Sequence, residues 1–174
     1  VVFDVTGYTR ICKDAGAKPV FLDEEPTKEY TFKGKPAHDD FPVDGYSLKT
    51  FRLPRTVTSI IDNRDACLYI NLPKLKTHSM AVVTLGIKNQ WGFPQHADRG
   101  KDHNFNLHSK IVDVYEHIKP DYTIIDGITG TIHGHYPPAA FADRLVKRFD
   151  VLVGGRDTVA VDTVGARIFG ISAN

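Results

Sequence analysis

Three short apolar runs set the main limits on how this chain can fold. They are residues 66–72 (ACLYINL), 121–126 (DYTIID) and 149–154 (FDVLVG), and each runs into a polar or glycine-rich turn. Runs this short and this apolar read as buried strands. Between and after them, apolar residues recur at spacings of three and four. Met80, Val83, Ile87 and Trp91 do so over 78–91, and Leu107, Ile111, Val114, Tyr115 and Ile118 do so ahead of Pro120. Val159, Ala160, Thr163, Val164 and Phe169 do so over 158–170. This is helical periodicity. Strands also read at 20–22 and at 48–53, the latter ended by Pro54. A helical stripe (Val1, Val5, Tyr8, Cys12) closes at Gly16, and a helical turn reads at 58–64. Strands alternating with helices predict an α/β fold, a layered αβα domain with a mostly parallel sheet of about five strands. The 126–149 connection shows no clear helix, so at least one strand pair can be antiparallel. Residues 24–46 read as an irregular excursion with a short hairpin near 30–32, and 94–104 and 127–140 read as loops.

The 174 residues fit one domain, with 41% hydrophobic and 25% charged residues, which excludes disorder and low-complexity repeats. Opening on a helix implies that the natural chain starts earlier, so residues 1–174 read as a single α/β domain lacking its N-terminal part. A net charge of +1 argues against nucleic acid. No apolar run approaches the roughly 18 residues a membrane span needs. Two distant cysteines, Cys12 and Cys67, make neither a disulfide scaffold nor a cluster site, and they suit a reducing, cytoplasmic setting.

Ligands of open α/β sheets bind beyond the carboxyl ends of the strands. Those ends hold three polar clusters, and parallel strands would bring all three to one edge. The sharpest follows the first run: Asn71, then Lys74, Lys76, Thr77 and His78. Extended backbone turns Lys74 and Lys76 the same way. With Lys88 and Asn89 nearby, the cluster suits a phosphate or carboxylate, although two solvated lysines on a loop would look the same. Asp126 precedes Gly127 and can move protons, or accept backbone hydrogen bonds that fix the turn. Gly155, Asp157 and Thr158 open the last helix, with Asp162 one turn on. A helix cap and a dipole partner explain the two aspartates as well as a ligand would. Six of the eight histidines fall between His96 and His135. Of these, His133 and His135 are metal candidates, while surface-loop positions explain the group equally well. Cys67 and Trp91 read as core.

Asn71-Leu72-Pro73-Lys74-Leu75-Lys76-Thr77-His78 and Thr84-Leu85-Gly86-Ile87-Lys88-Asn89 resemble the signature of the DUF362 family, a domain of unknown function. Ile124-Ile125-Asp126-Gly127-Ile128 and Gly155-Arg156-Asp157-Thr158-Val159-Ala160-Val161-Asp162 resemble its two later motifs, in the same order. The sequence departs from that pattern after Gly130, where Ile132-His133-Gly134-His135-Tyr136-Pro137 replaces an acidic, glycine-rich turn. Some members of the family carry a ferredoxin-type segment. The resemblance therefore implies a redox association, with the cluster ligands on another segment or a ferredoxin-type partner.

Three expectations follow. The first is an anionic small molecule bound at the strand ends, in an enzyme or a binding protein. Lys74, Lys76, His78 and Asp126 would carry the chemistry, and Asn71, Lys88, Asn89, Gly155, Asp157, Thr158 and Asp162 would hold the ligand. The second is a redox accessory module docking an iron–sulfur partner. The third is a hydrolase whose metal is bound by histidines.

Overall fold

The structure is a computed structural model that describes residues 2–31, 50–104, 107–134 and 138–172. In chain order it contains helices α1 (Val2–Val5) and α2 (Tyr8–Asp14), then strands β1 (Thr27–Thr31) and β2 (Thr50–Pro54), and helix α3 (Arg55–Asp62). Next come β3 (Ile70–Asn71), β4 (Lys74–His78), β5 (Val82–Thr84), α4 (Gly86–Asn89), α5 (His96–Asp102) and α6 (Leu107–His117). The chain continues through β6 (Tyr122–Thr131), α7 (Ala142–Leu145), β7 (Val146–Gly155) and α8 (Thr158–Ile168). No described helix is long and apolar enough to cross a membrane.

The class is α/β, as the alternation of elements implies. The main sheet has five strands, with β6 at its centre. Along one edge of β6 run β3 and then β4, both parallel to it. β5 folds back antiparallel on β4. Along the other edge β7 is antiparallel, with Thr123 opposite Gly155 and Thr131 opposite Val146. This supplies the antiparallel pairing that the helix-free 126–149 connection allowed. β1 and β2 form a separate antiparallel pair, Thr27 opposite Pro54. Of the hairpin expected near 30–32, residue 32 lies outside the described residues.

α8 packs on β6 and β7. Leu75, Leu85, Ile125 and Val161 form one buried cluster there, with Val151 and Val153 against it. Gly165 allows the close approach, since a Cβ there would lie 2.8 Å from Ile125 Cδ1. A second cluster joins Phe51, Leu53 and Val57 to Trp91, Leu107, Ile111 and Val114. The opposite face of the sheet carries Ile70, Leu72, Tyr122 and Leu152, all exposed among the described residues.

Several local expectations are corrected. Residues 78–91 form no continuous helix. They fold as the β4–β5 hairpin followed by one turn of helix. Val82, Val83 and Thr84 are β-branched and favour strand. His78 ties the turn, its Nδ1 accepting the Met80 and Ala81 N–H at 3.1 Å each. Residues 20–22 form no strand, and Leu22–Glu24 is a 3-10 turn. The 66–72 run contributes only Ile70–Asn71 to the sheet and is not buried on both faces, since Leu68, Ile70 and Leu72 are exposed among the described residues. Residues 96–102 are helix rather than loop. β6 runs five residues further than the 121–126 run, to Thr131, so the following loop starts later. The N-terminal stripe is not buried, as Val5 and Tyr8 are exposed.

Candidate functional site

At the carboxyl end of β4 a cleft of about 380 Å³ opens between the β4–β5 hairpin, α4 and α5. Lys76 and His78 enter it from β4, Thr84 from β5, and Lys88 and Asn89 from α4. Trp91 and Gly92 form part of the wall, and His96, Arg99, Gly100 and His103 close the far side. No carboxylate is among its described lining residues. His78 is buried, and its doubly accepting Nδ1 places the ring proton on Nε2. Its ring stacks on that of His103 with centroids 5.4 Å apart.

The charge of the cleft is concentrated in two half-buried lysines. Burial lowers the Lys76 amine from its ordinary value. Burial, with the Lys76 charge added, pushes Lys88 down to about 8. Its Nζ donates to Thr84 Oγ1 at 3.5 Å. His103 is also lowered, first by burial and then by Lys88. Burial acts on all three groups, and the charge of a neighbouring lysine adds to it at Lys88 and His103. Arg99 contributes less, because its guanidinium already pairs with Asp23 at 3.0 Å and donates to the Gly92 carbonyl.

Buried polar contacts hold these lysines in place. Asn71 donates to the Gly86 carbonyl at 2.9 Å and accepts from Asn89 at 2.7 Å. Asp162, reaching over from α8, accepts the Gly86 and Ile87 N–H at 2.7 and 2.9 Å. Together they fix the start of α4, and with it Lys88. Burial raises the Asp162 carboxyl to about 6, against the two backbone hydrogen bonds that pull it down. α5 is fastened by Asp98 to Arg52 at 2.8 Å and by Asp102 to the buried Lys110 at 3.1 Å.

The residues named from sequence therefore divide. Lys76, His78, Lys88 and Asn89 share the cleft, while Asn71 and Asp162 brace it from behind. Lys74 does not line it. The β4–β6 register shifts between the two lysines, so that Lys74 lies opposite Asp126 and Lys76 opposite Thr131. Lys74 pairs with Asp126 at 3.0 Å on an exposed surface, which holds that carboxyl below its usual range. Asp126 also accepts the Ile128 N–H, the turn-fixing role. Antiparallel β7 carries Gly155, Asp157 and Thr158 to the opposite end of the sheet, so the three clusters do not converge. There Asp157 caps α8 through the Val159 and Ala160 N–H, and buried Thr158 bonds Thr123 at 2.9 Å. His133 sits in a left-handed turn with φ 59°, and His135 lies outside the described residues. Among the described residues no three His, Cys, Asp or Glu side chains group closely enough to hold a metal ion.

The reading from sequence missed His96, Arg99 and His103 as lining residues, while Trp91 is the core residue it expected. A signal existed for the three, since His96, Arg99 and His103 are spaced by three and four, one face of a helix.

The family model for the domain of unknown function DUF362 matches residues 1–167. The chain belongs to the DUF362 family. The chain is also similar to the thylakoid-associated protein sll1697 of Synechocystis sp., 38% identical over 106 residues, covering 54% of this chain. The chain spans 31% of that relative's length. No solved structure matches. Within the matched span, the segments around Lys76 and Lys88 supply the basic cleft, and the segment at Asp162 supplies its brace.

Proposed function

We propose that this DUF362 chain binds a small anionic molecule, through a phosphate or carboxylate group, in the cleft between the β4–β5 hairpin, α4 and α5. The observation that supports this best is the pair Lys76 and Lys88, half-buried in one cleft with no carboxylate among its described lining residues. A bound anion would offset the cost of burying both charges, and at Lys88 also the repulsion from Lys76 that adds to it. The two free cysteines suit a reducing compartment, and the reading takes the chain as cytoplasmic.

Calorimetric titration with inorganic phosphate, and with simple carboxylates, tests the reading. Lys76→Met and Lys88→Met should each weaken binding by about tenfold or more, as loss of a charged hydrogen bond does. Lys74→Met should leave it unchanged. Unaltered affinity in both cleft variants would sink the proposal. Affinity should also fall as pH rises through about 8, where Lys88 loses its charge.

A further inference from the structure

We propose that the Lys88 amine forms an imine with small anionic carbonyl compounds, an oxoacid or a phosphorylated aldehyde, whose anionic group Lys76 holds in the cleft. The inference rests on the anion-binding reading and goes beyond it in assigning covalent chemistry to one atom.

The geometry separates two roles. A lysine that only binds an anion works best fully charged, whereas one that attacks carbonyl carbon needs its lone pair. Desolvation and a neighbouring cation are the two devices that free that pair, and both act on Lys88. Around it stand Lys76 and His78 from β4, Thr84 from β5, Arg99 from α5, and His103 just past α5. On its other side a largely apolar pocket brings up His108 and Asp162. Among the described lining residues of the two pockets Asp162 is the one carboxylate, and its oxygens accept the Gly86 and Ile87 N–H. Arg99 pairs with Asp23. The charge that acts on the Lys88 amine is that of Lys76, and Thr84 Oγ1 holds the amine without supplying one.

The step balances without an oxidant or reductant. The nitrogen pair adds to the carbonyl carbon, the carbonyl π pair moves onto oxygen, and a proton passes from nitrogen to that oxygen. The carbinolamine then expels the oxygen as water, so amine and carbonyl give an imine and one water. The His103 imidazole beside Lys88 is placed to carry the proton that departing water needs.

The test uses the whole chain and pyridoxal 5′-phosphate, an aldehyde bearing a phosphate. The protein is incubated with it, reduced with borohydride, digested and mapped by mass spectrometry. Lys88 should be labelled at least about tenfold more than exposed Lys28 and Lys119 near neutral pH, with half-maximal labelling close to the point where its amine is half free. Inorganic phosphate should suppress the labelling, and Lys88→Arg, which keeps the charge, should abolish it. Lys76→Met should move the midpoint upward. Phosphate binding with Lys88 labelled no more than the exposed lysines would overturn this inference and leave the anion site standing. Absence of phosphate and carboxylate binding would overturn the anion site itself.

Discussion

Asp162 shows how one carboxylate can look like a ligand group in the sequence and act as a brace in the fold. Its position one turn into the last helix was legible, but its partners at Gly86 and Ile87 lie 76 and 75 residues away. Local pattern does not encode such a contact. The folded carboxyl titrates near 6 and the unfolded one near 3.8. Between these values the folded state keeps a proton that the unfolded state has released. Stability from this group is therefore present below about pH 4 and lost as pH rises to about 6. Urea midpoints taken across that window should fall, and Asp162→Asn should flatten the slope. The amide offers one acceptor for two N–H donors, so the variant should also be about 1–3 kcal/mol less stable. Lys74 and Lys76 teach the complementary lesson. Strict alternation turns them the same way, and only the register shift against β6, a property of the assembled sheet, separates them.

Among the elements, α6, α8, β6 and β7 were readable because each carries an apolar stripe or run in the sequence, although only that of α6 is continuously buried. The 78–91 segment was not. Its apolar residues do recur at helical spacing, yet the β-branched stretch at 82–84 and the His78 side chain favour a hairpin. The backbone bends enough to hold Val82 at φ 61°, rare for a β-branched residue. The turn into α4 is packed as tightly. A Cβ at Gly86 would lie 2.7 Å from Thr158 Cγ2 and 2.8 Å from Asp162 Oδ1. Gly86→Ala should cost about 1–3 kcal/mol by overpacking, read from denaturant unfolding. Because Lys88 follows two residues later, the same variant should weaken phosphate binding.

At the scale of the molecule, the α/β class followed from alternation alone, but the direction of β7 did not. Strand direction depends on which way the 126–149 connection returns, and hydrophobic period carries no sign for that. The reversal explains why Asp157, expected beside the lysines, caps α8 at the far end of the sheet instead. The one-sided burial of the sheet has its own test. Leu75 is 0% exposed and Leu72 65%. Leu75→Ala should cost about 2–5 kcal/mol, whereas Leu72→Thr should stay within about 0.5 kcal/mol in the same unfolding assay.

The tie from Asp162 to Gly86 also has a consequence in time. During synthesis the residues of the cleft, 76–103, leave the ribosome well before residue 162 does. Until α8 arrives, the Gly86 and Ile87 N–H groups have no carboxylate to receive them and Leu85 lacks its cover. The cleft is thus made before the helix that braces it, and it takes its final shape only once α8 has formed.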